Sequence, residues 1–171
     1  MTRSRSTRVR LGLLGLGFGL SATAAVAAGA CTAASRCGPT EGVVARVIDG
    51  DTIELESGER VRYLMIDTPE STTEQECWGE EAKAANAAFV EGETVTLRYD
   101  VECTDDFDRL LAYVTLGGQV INEVMVARGH ACVLHIPPNG EDQVATYEDL
   151  EDEARSDNKG LWAECDPLPC G

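Results

Sequence analysis

The stretch VVARVIDGDTIELESGERVRYLMID, residues 43–67, constrains the fold more than any other part of the chain. Its apolar residues are interrupted by two strong turn signals, Asp49-Gly50 and Ser57-Gly58-Glu59. That pattern predicts three short strands joined too tightly for crossover helices, hence antiparallel neighbours. Ile53 and Leu55 share a face, and Asp51 has their parity, so its carboxylate is expected on the side that Ile53 buries. In RVRYLMI, Arg62, Leu64 and Ile66 take one face and Val61, Tyr63 and Met65 the other. Both faces are largely apolar. An arginine in a strand covered on both sides needs an anionic partner, because an unpaired buried charge is costly.

Downstream, GEEAKAANAAFVEG, residues 79–92, sets Ala82, Ala85 and Phe89 at helical spacing and ends in Gly92, a natural stop. TVTLRY (94–99) and LLAYVTL (110–116) read as strands, with Gly117-Gly118 as a turn. INEVMVARG predicts a short helix ending at Gly129, and HACVLHI a further short strand. In EDQVATYEDLEDEARSDNKG, Val144, Tyr147, Leu150 and Ala154 lie along one side of an acidic helix, with Gly160 beyond its end. The expected fold is α+β and mainly β: a five-stranded barrel of the oligonucleotide-binding type with about three packed helices. With 171 residues there is room for one such domain and not for two.

The first thirty residues have a different character. MTRSRSTRVR carries four arginines, LGLLGLGFGL is apolar, and SATAAVAAGA is built of small residues. Together they read as an export signal over residues 1–30, followed by a tether over 31–40 and the folded domain over 41–171. Export makes the cysteines at 31, 37, 77, 103, 132, 165 and 170 candidates for disulfides. Seven is odd. Ala28-Gly29-Ala30-Cys31 is a passable lipoprotein cleavage box, so one reading lipidates Cys31, attaches the chain to a membrane and leaves six cysteines for three bridges; the other leaves a spare thiol. The expected location is periplasmic, cell-surface or secreted. The formal charge of −16 falls to about −20 once Arg3, Arg5, Arg8 and Arg10 leave with the signal. That charge works against unaided, non-specific binding to polyanions, so any phosphate chemistry is expected to rest on local cations.

Three segments hold acids and cations in chemically telling places: DGDT at 49–52, RYLMIDTPE at 62–70 and DFDRLLAY at 106–113. Their order and combination, with NEVMVARGHA following, resembles the thermonuclease family, of which staphylococcal nuclease is the familiar member. The likeness runs from about Glu41 to Trp162. It implies a calcium-dependent phosphodiesterase that cuts DNA and RNA to 3′-phosphate ends. It further implies Asp51 and Asp67 as carboxylate ligands of Ca²⁺, with the backbone carbonyl of Thr68, Glu70 as general base, and Arg62 and Arg109 on the phosphate. The residues suit these roles in their own right. Two carboxylates and a carbonyl leave a calcium ion places for water and phosphate. Pro69 ends regular pairing and frees Glu70 from the strand line. Planar guanidinium groups match phosphoryl oxygens better than lysine does.

Each residue also has a plainer reading. Asp49 is expected to be a turn residue only. Asp51 alone is a strand-end acid, and Arg62 with Glu70 a structural ion pair; it is the joint occurrence that favours catalysis. His130 and His135 flank Cys132, which is weak for zinc and better read as a disulfide. Tyr63, Phe89, Tyr99 and Trp162 are expected in the core, while Phe107 and Tyr113 suit either a base-flanking place or the core. Two features depart from the family pattern: Asp108 stands where a glycine is usual before the arginine, and the last helix is acidic. Asp tolerates left-handed backbone angles, but its charge beside Arg109, to which Asp105 and Asp106 add, opposes phosphate binding. Because Cys77 and Cys103 lie beside the implied site, they are expected to pair, leaving Cys132 with Cys165 and Cys37 with Cys170. A monomer acting on nucleic acid is the expected form; a non-catalytic binding module on the same barrel and a structural calcium-binding domain are the rivals.

Overall fold

The computed structural model describes residues 36–72 and 76–170. The expected export segment, Cys31 and the first part of the tether lie outside that range. The hairpin pattern forms as its turns dictate. Strand β1 (Glu41–Asp49) pairs antiparallel with β2 (Thr52–Leu55), and β2 with β3 (Arg60–Tyr63). Register shifts between Val44 and Arg46 and between Val47 and Asp49 mark bulges in β1, which bend it so that its first residues pair instead with β5 (Thr94–Arg98). β5 pairs antiparallel with β6 (Leu110–Leu116). The ring closes where β3 pairs with β6, and that pairing is parallel, with Arg62 opposite Leu111. Five strands thus make the barrel, as expected.

RVRYLMI is not one continuous strand. Met65 has φ 70, the chain turns there, and β4 (Ile66–Asp67) pairs with β8 (Cys132–Val133) in a separate two-stranded sheet. The alternation rule fails because a carbonyl-rich turn, not a straight strand, satisfies the arginine at 62. A short β7 (Gln119–Val120) continues from β6. Helices α1 (Gly79–Val90), α2 (Ile121–Ala127) and α3 (Val144–Ser156) occupy the expected places, and one further turn, α4 (Leu161–Glu164), follows. Tyr147 and Ala154 of α3 are buried as its pattern predicts. Strand, α1, α2 and α3 side chains form one core that includes Val44, Ile53, Val61, Tyr63, Val95, Val114, Met125 and Tyr147.

Buried Asn122 on α2 acts as a polar staple. Its Oδ1 accepts from Val114 N at 2.9 Å and its Nδ2 donates to Leu64 O at 2.9 Å and Ala112 O at 3.3 Å, tying β6 to the β3–β4 turn. Residues 36–40 run along β5: Leu97 N donates to Thr40 O and the Tyr99 hydroxyl to Pro39 O.

The disulfides are Cys37–Cys103, Cys77–Cys165 and Cys132–Cys170, so none of the three expected pairings forms. Lying near one site is not the same as facing one another. Cys103 opens onto the cleft beside Arg109, whereas Cys77 lies with Asp166, Pro167 and Pro169 of the C-terminal segment. The N-terminal segment along β5 supplies the partner for Cys103.

Candidate active site

Arg62 is the hub of the site. The β3–β4 turn aims two carbonyls at its guanidinium, and Nη1 donates to Tyr63 O at 2.9 Å and Ile66 O at 2.7 Å. The same Nη1 lies 3.2 Å from Asp51 Oδ2, and Nη2 donates to Asp67 Oδ1 at 2.7 Å. The arginine therefore meets the anionic partners its burial demands. They are Asp51 and Asp67, not Glu70 as the ion-pair reading had it.

Asp51 joins the β1–β2 turn to the exit of β4. Its Oδ2 accepts from both the backbone N–H and the hydroxyl of Thr68, each at 3.0 Å, and its Oδ1 from the Thr52 hydroxyl at 2.9 Å. Gly50 is needed for this closeness. A Cβ there would meet the Thr68 side chain at 2.7–2.8 Å. The glycine of the turn signal thus also brings DGDT against DTPE.

Asp49 does more than turn the chain. Its carboxylate is buried, its Oδ1 accepts from Gly50 N at 2.9 Å and Ser71 Oγ at 3.0 Å, and it hydrogen-bonds the Glu70 side chain. No local pattern signalled this: Asp49 ends β1 and Asp51 lies in the turn before β2, so the fold-back of the turn, not strand alternation, brings the two acids to the same site. Glu70 is held above the ordinary carboxylate range, first by burial, then by its bond to Asp49 and the charges of Asp49, Asp51 and Asp67. Asp67 is raised too, by burial above all, against the lowering effect of Arg62 and with Asp51, Glu76 and Asp49 adding to it.

Arg109 immediately precedes β6, and the parallel β3–β6 pairing, with Val61 opposite Leu110, sets it beside the start of β3. Arg62 and Arg109 line one cleft of about 680 Å³, walled by Phe107, Leu111, Leu134 and Ile136. Asp108 adopts φ 59, so aspartate does replace glycine in the left-handed turn. The carboxylate that engages Arg109 is Asp105: Oδ2 accepts from Nε at 2.7 Å and Oδ1 from the backbone N–H groups of Arg109 and Phe107 at 3.0 and 2.9 Å. Burial works against the charge of Asp105, but these bonds from Arg109 and Phe107 prevail and its pKa is lowered. Phe107 is 79% exposed on the cleft, while Tyr113 is buried against Tyr147 with Arg98 over its ring. The two aromatics left open by the sequence therefore separate. Cys132 is bridged to Cys170, and Trp78 Nε1 donates to His130 Nδ1 at 3.1 Å, which explains these residues without zinc.

A small closed barrel with acids and an arginine gathered where the β1–β2 turn meets the exit of β4, and a second arginine on the adjoining cleft, defines the class. The family model described as "Staphylococcal nuclease homologue" matches residues 60–164, and the chain belongs to that family. It is 33% identical over 126 residues to endonuclease YncB of Bacillus subtilis, covering 70% of this chain and 60% of that one. It is 34% identical over 126 residues to a thermonuclease of Staphylococcus intermedius, covering 70% and 74%, and 34% over 137 residues to an uncharacterized endonuclease of Escherichia coli O157:H7, covering 78% and 84%. The match spans less than two thirds of some relatives: 60% of YncB and 43% of the prophage endonuclease YokF.

Proposed function

We propose that the chain is an exported, calcium-dependent nuclease that hydrolyses phosphodiester bonds in DNA and RNA and leaves 3′-phosphate ends. The observation that carries this reading is that Asp51, Asp67, Thr68 and Arg62 converge while Arg109 shares the cleft with Arg62. The names of the relatives, endonuclease and thermonuclease, support the same chemistry.

The residues suit a calcium ion. The donors are all hard oxygens, as a calcium ion prefers. Among the described residues no group of three or more His, Cys, Asp or Glu side chains gathers to hold a metal. The proposed set is sparser: the Asp51 and Asp67 carboxylates and the Thr68 carbonyl, with water and phosphate completing it. Bound calcium would polarise a phosphate oxygen and neutralise charge there.

Glu70 takes a proton from water as the water oxygen bonds to phosphorus and the bond from phosphorus to the 5′-oxygen breaks, the leaving oxygen taking up a proton from solvent to become a hydroxyl. A carboxylate held above its usual pKa is a better base at neutral pH than an ordinary one. Arg62, already fixed by four partners, and Arg109, whose Nε alone is engaged by Asp105, stabilise charge on the phosphoryl oxygens. Export fits the three disulfides, which belong to oxidising compartments. The six described cysteines pair among themselves, and membrane attachment would run through Cys31. The test incubates the purified chain with DNA and RNA, first with calcium and then with a chelator, and reads the ends formed. No cleavage with calcium, or equal cleavage with the chelator, refutes the proposal.

A further inference from the structure

Glu70 leaves β4 behind Pro69 and has no strand to hold it, yet a general base must keep its carboxylate within hydrogen-bond reach of the attacking water. Its backbone is held instead by Glu76. The Glu70 N–H donates to Glu76 Oε2 at 2.9 Å, and the Glu76 N–H donates to Glu70 O at 3.0 Å, so both backbone polar groups of Glu70 are tied to one residue.

Glu76 is itself anchored. Cys77, the next residue, is bridged to Cys165 beyond α4. Trp78 follows at φ 76, a conformation a bulky side chain adopts only when its surroundings impose it, and its indole donates to His130 at 3.1 Å. Gly79 then packs so closely on the Glu70 carbonyl that a Cβ would collide with it. Three consecutive residues after Glu76 are thus each fixed by a separate device, and the clamp they support closes on Glu70.

We propose that Glu76 is a positioning residue: its carboxylate, fixed by the Cys77–Cys165 anchor, sets the place of Glu70 through the Glu70 N–H. This rests on the reading of Glu70 as base. A rival role is electrostatic, since the Glu76 charge also bears on Asp67. A second rival is that Glu76 merely staples a loop. The three differ in what substitution does.

The test compares kcat and KM on DNA at saturating calcium for the disulfide-intact chain and for Glu76→Ala, Glu76→Gln, Glu70→Gln and the Glu70→Gln/Glu76→Ala pair. With Glu76 acting by position, Glu76→Ala loses about tenfold or more in kcat with KM nearly unchanged, because a small misplacement of a reacting group is expensive. Glu76→Gln regains most of that, since its amide oxygen accepts the same bond without the charge. Adding Glu76→Ala to Glu70→Gln costs nothing further, because the two act through one group. Wild-type kcat in Glu76→Ala, with Glu70→Gln impaired, overturns the positioning role alone. So does a Gln variant as slow as the Ala variant, or an additive pair. Wild-type turnover in Glu70→Gln overturns the base assignment itself.

Discussion

Arg62→Lys keeps the charge and removes the fork, so it separates what the guanidinium geometry contributes from what a positive charge contributes. Arg62 has four partners: the Tyr63 and Ile66 carbonyls and the Asp51 carboxylate on Nη1, and the Asp67 carboxylate on Nη2. A lysine ammonium is a single point and holds about two of these with good geometry, leaving about two charged hydrogen bonds unmade. At roughly 1.5–3 kcal/mol each, the full loss is about 3–6 kcal/mol. The arginine side chain is only 13% exposed, so the carbonyl bonds are not cheaply replaced by water, but Asp67 is half-exposed and will be resolvated. The expected loss is therefore about 2–4 kcal/mol, or roughly 10 °C in melting temperature for a domain of this size. Urea denaturation of the calcium-free chain at neutral pH measures it. kcat/KM should fall at least about 100-fold, as for loss of a fixed donor to a transition-state oxygen. A loss of stability below about 1 kcal/mol would show that the turn holds without the fork. Full activity with lowered stability would remove Arg62 from the phosphate and leave it a structural ion-pair residue.

Glu70→Gln should fold normally and lose most of its turnover, since the amide cannot take a proton; near wild-type cleavage removes Glu70 from the base role. Asp67→Asn should raise the calcium concentration needed for half-maximal rate, and an unchanged calcium titration counts against its ligand role. Asp67 and Glu70 both have raised pKa values, so the folded chain holds their protons more tightly than the unfolded chain does. Their contribution favours folding at low pH and is lost as pH rises through the raised values, so as pH is lowered from neutral toward the ordinary carboxylate range the calcium-free chain should show a smaller gain in urea midpoint once both are replaced by their amides. An equal gain in the doubly substituted chain refutes the shifts. With about −20 of charge on the domain, monovalent salt should leave kcat/KM on DNA level or raise it at first, because repulsion is screened as the Debye length falls from about 30 Å at 0.01 M to about 8 Å at 0.15 M. A steep fall from the lowest salt upward would mean that a local basic surface dominates binding.

What was legible in the sequence is what local rules govern. Tight turns at Asp49-Gly50 and Gly117-Gly118, helix periodicity at Ala82 and Tyr147, and the demand of Arg62 for an anion all reach the structure nearly unchanged. What was not legible depends on contacts distant in the chain. The parallel β3–β6 pairing that puts Arg62 and Arg109 on one cleft has no local signal, since neither strand pattern records its partner. The disulfides fail for the same reason: six cysteines permit 15 pairings, and only the path of residues 36–40 along β5 brings Cys37 to Cys103. Asp108 shows the boundary between the two kinds of rule within a single turn. Its left-handed backbone is one that aspartate tolerates, as the residue type allows. Of the acids expected to crowd Arg109, the turn from 105 to 109 folds back on itself and delivers Asp105, not the adjacent Asp108, to the guanidinium. An acid placed there need not oppose phosphate binding. By engaging Nε and two backbone N–H groups it fixes the arginine, so the same carboxylate that lowers the local positive charge also removes the entropy that Arg109 would otherwise lose on meeting its substrate.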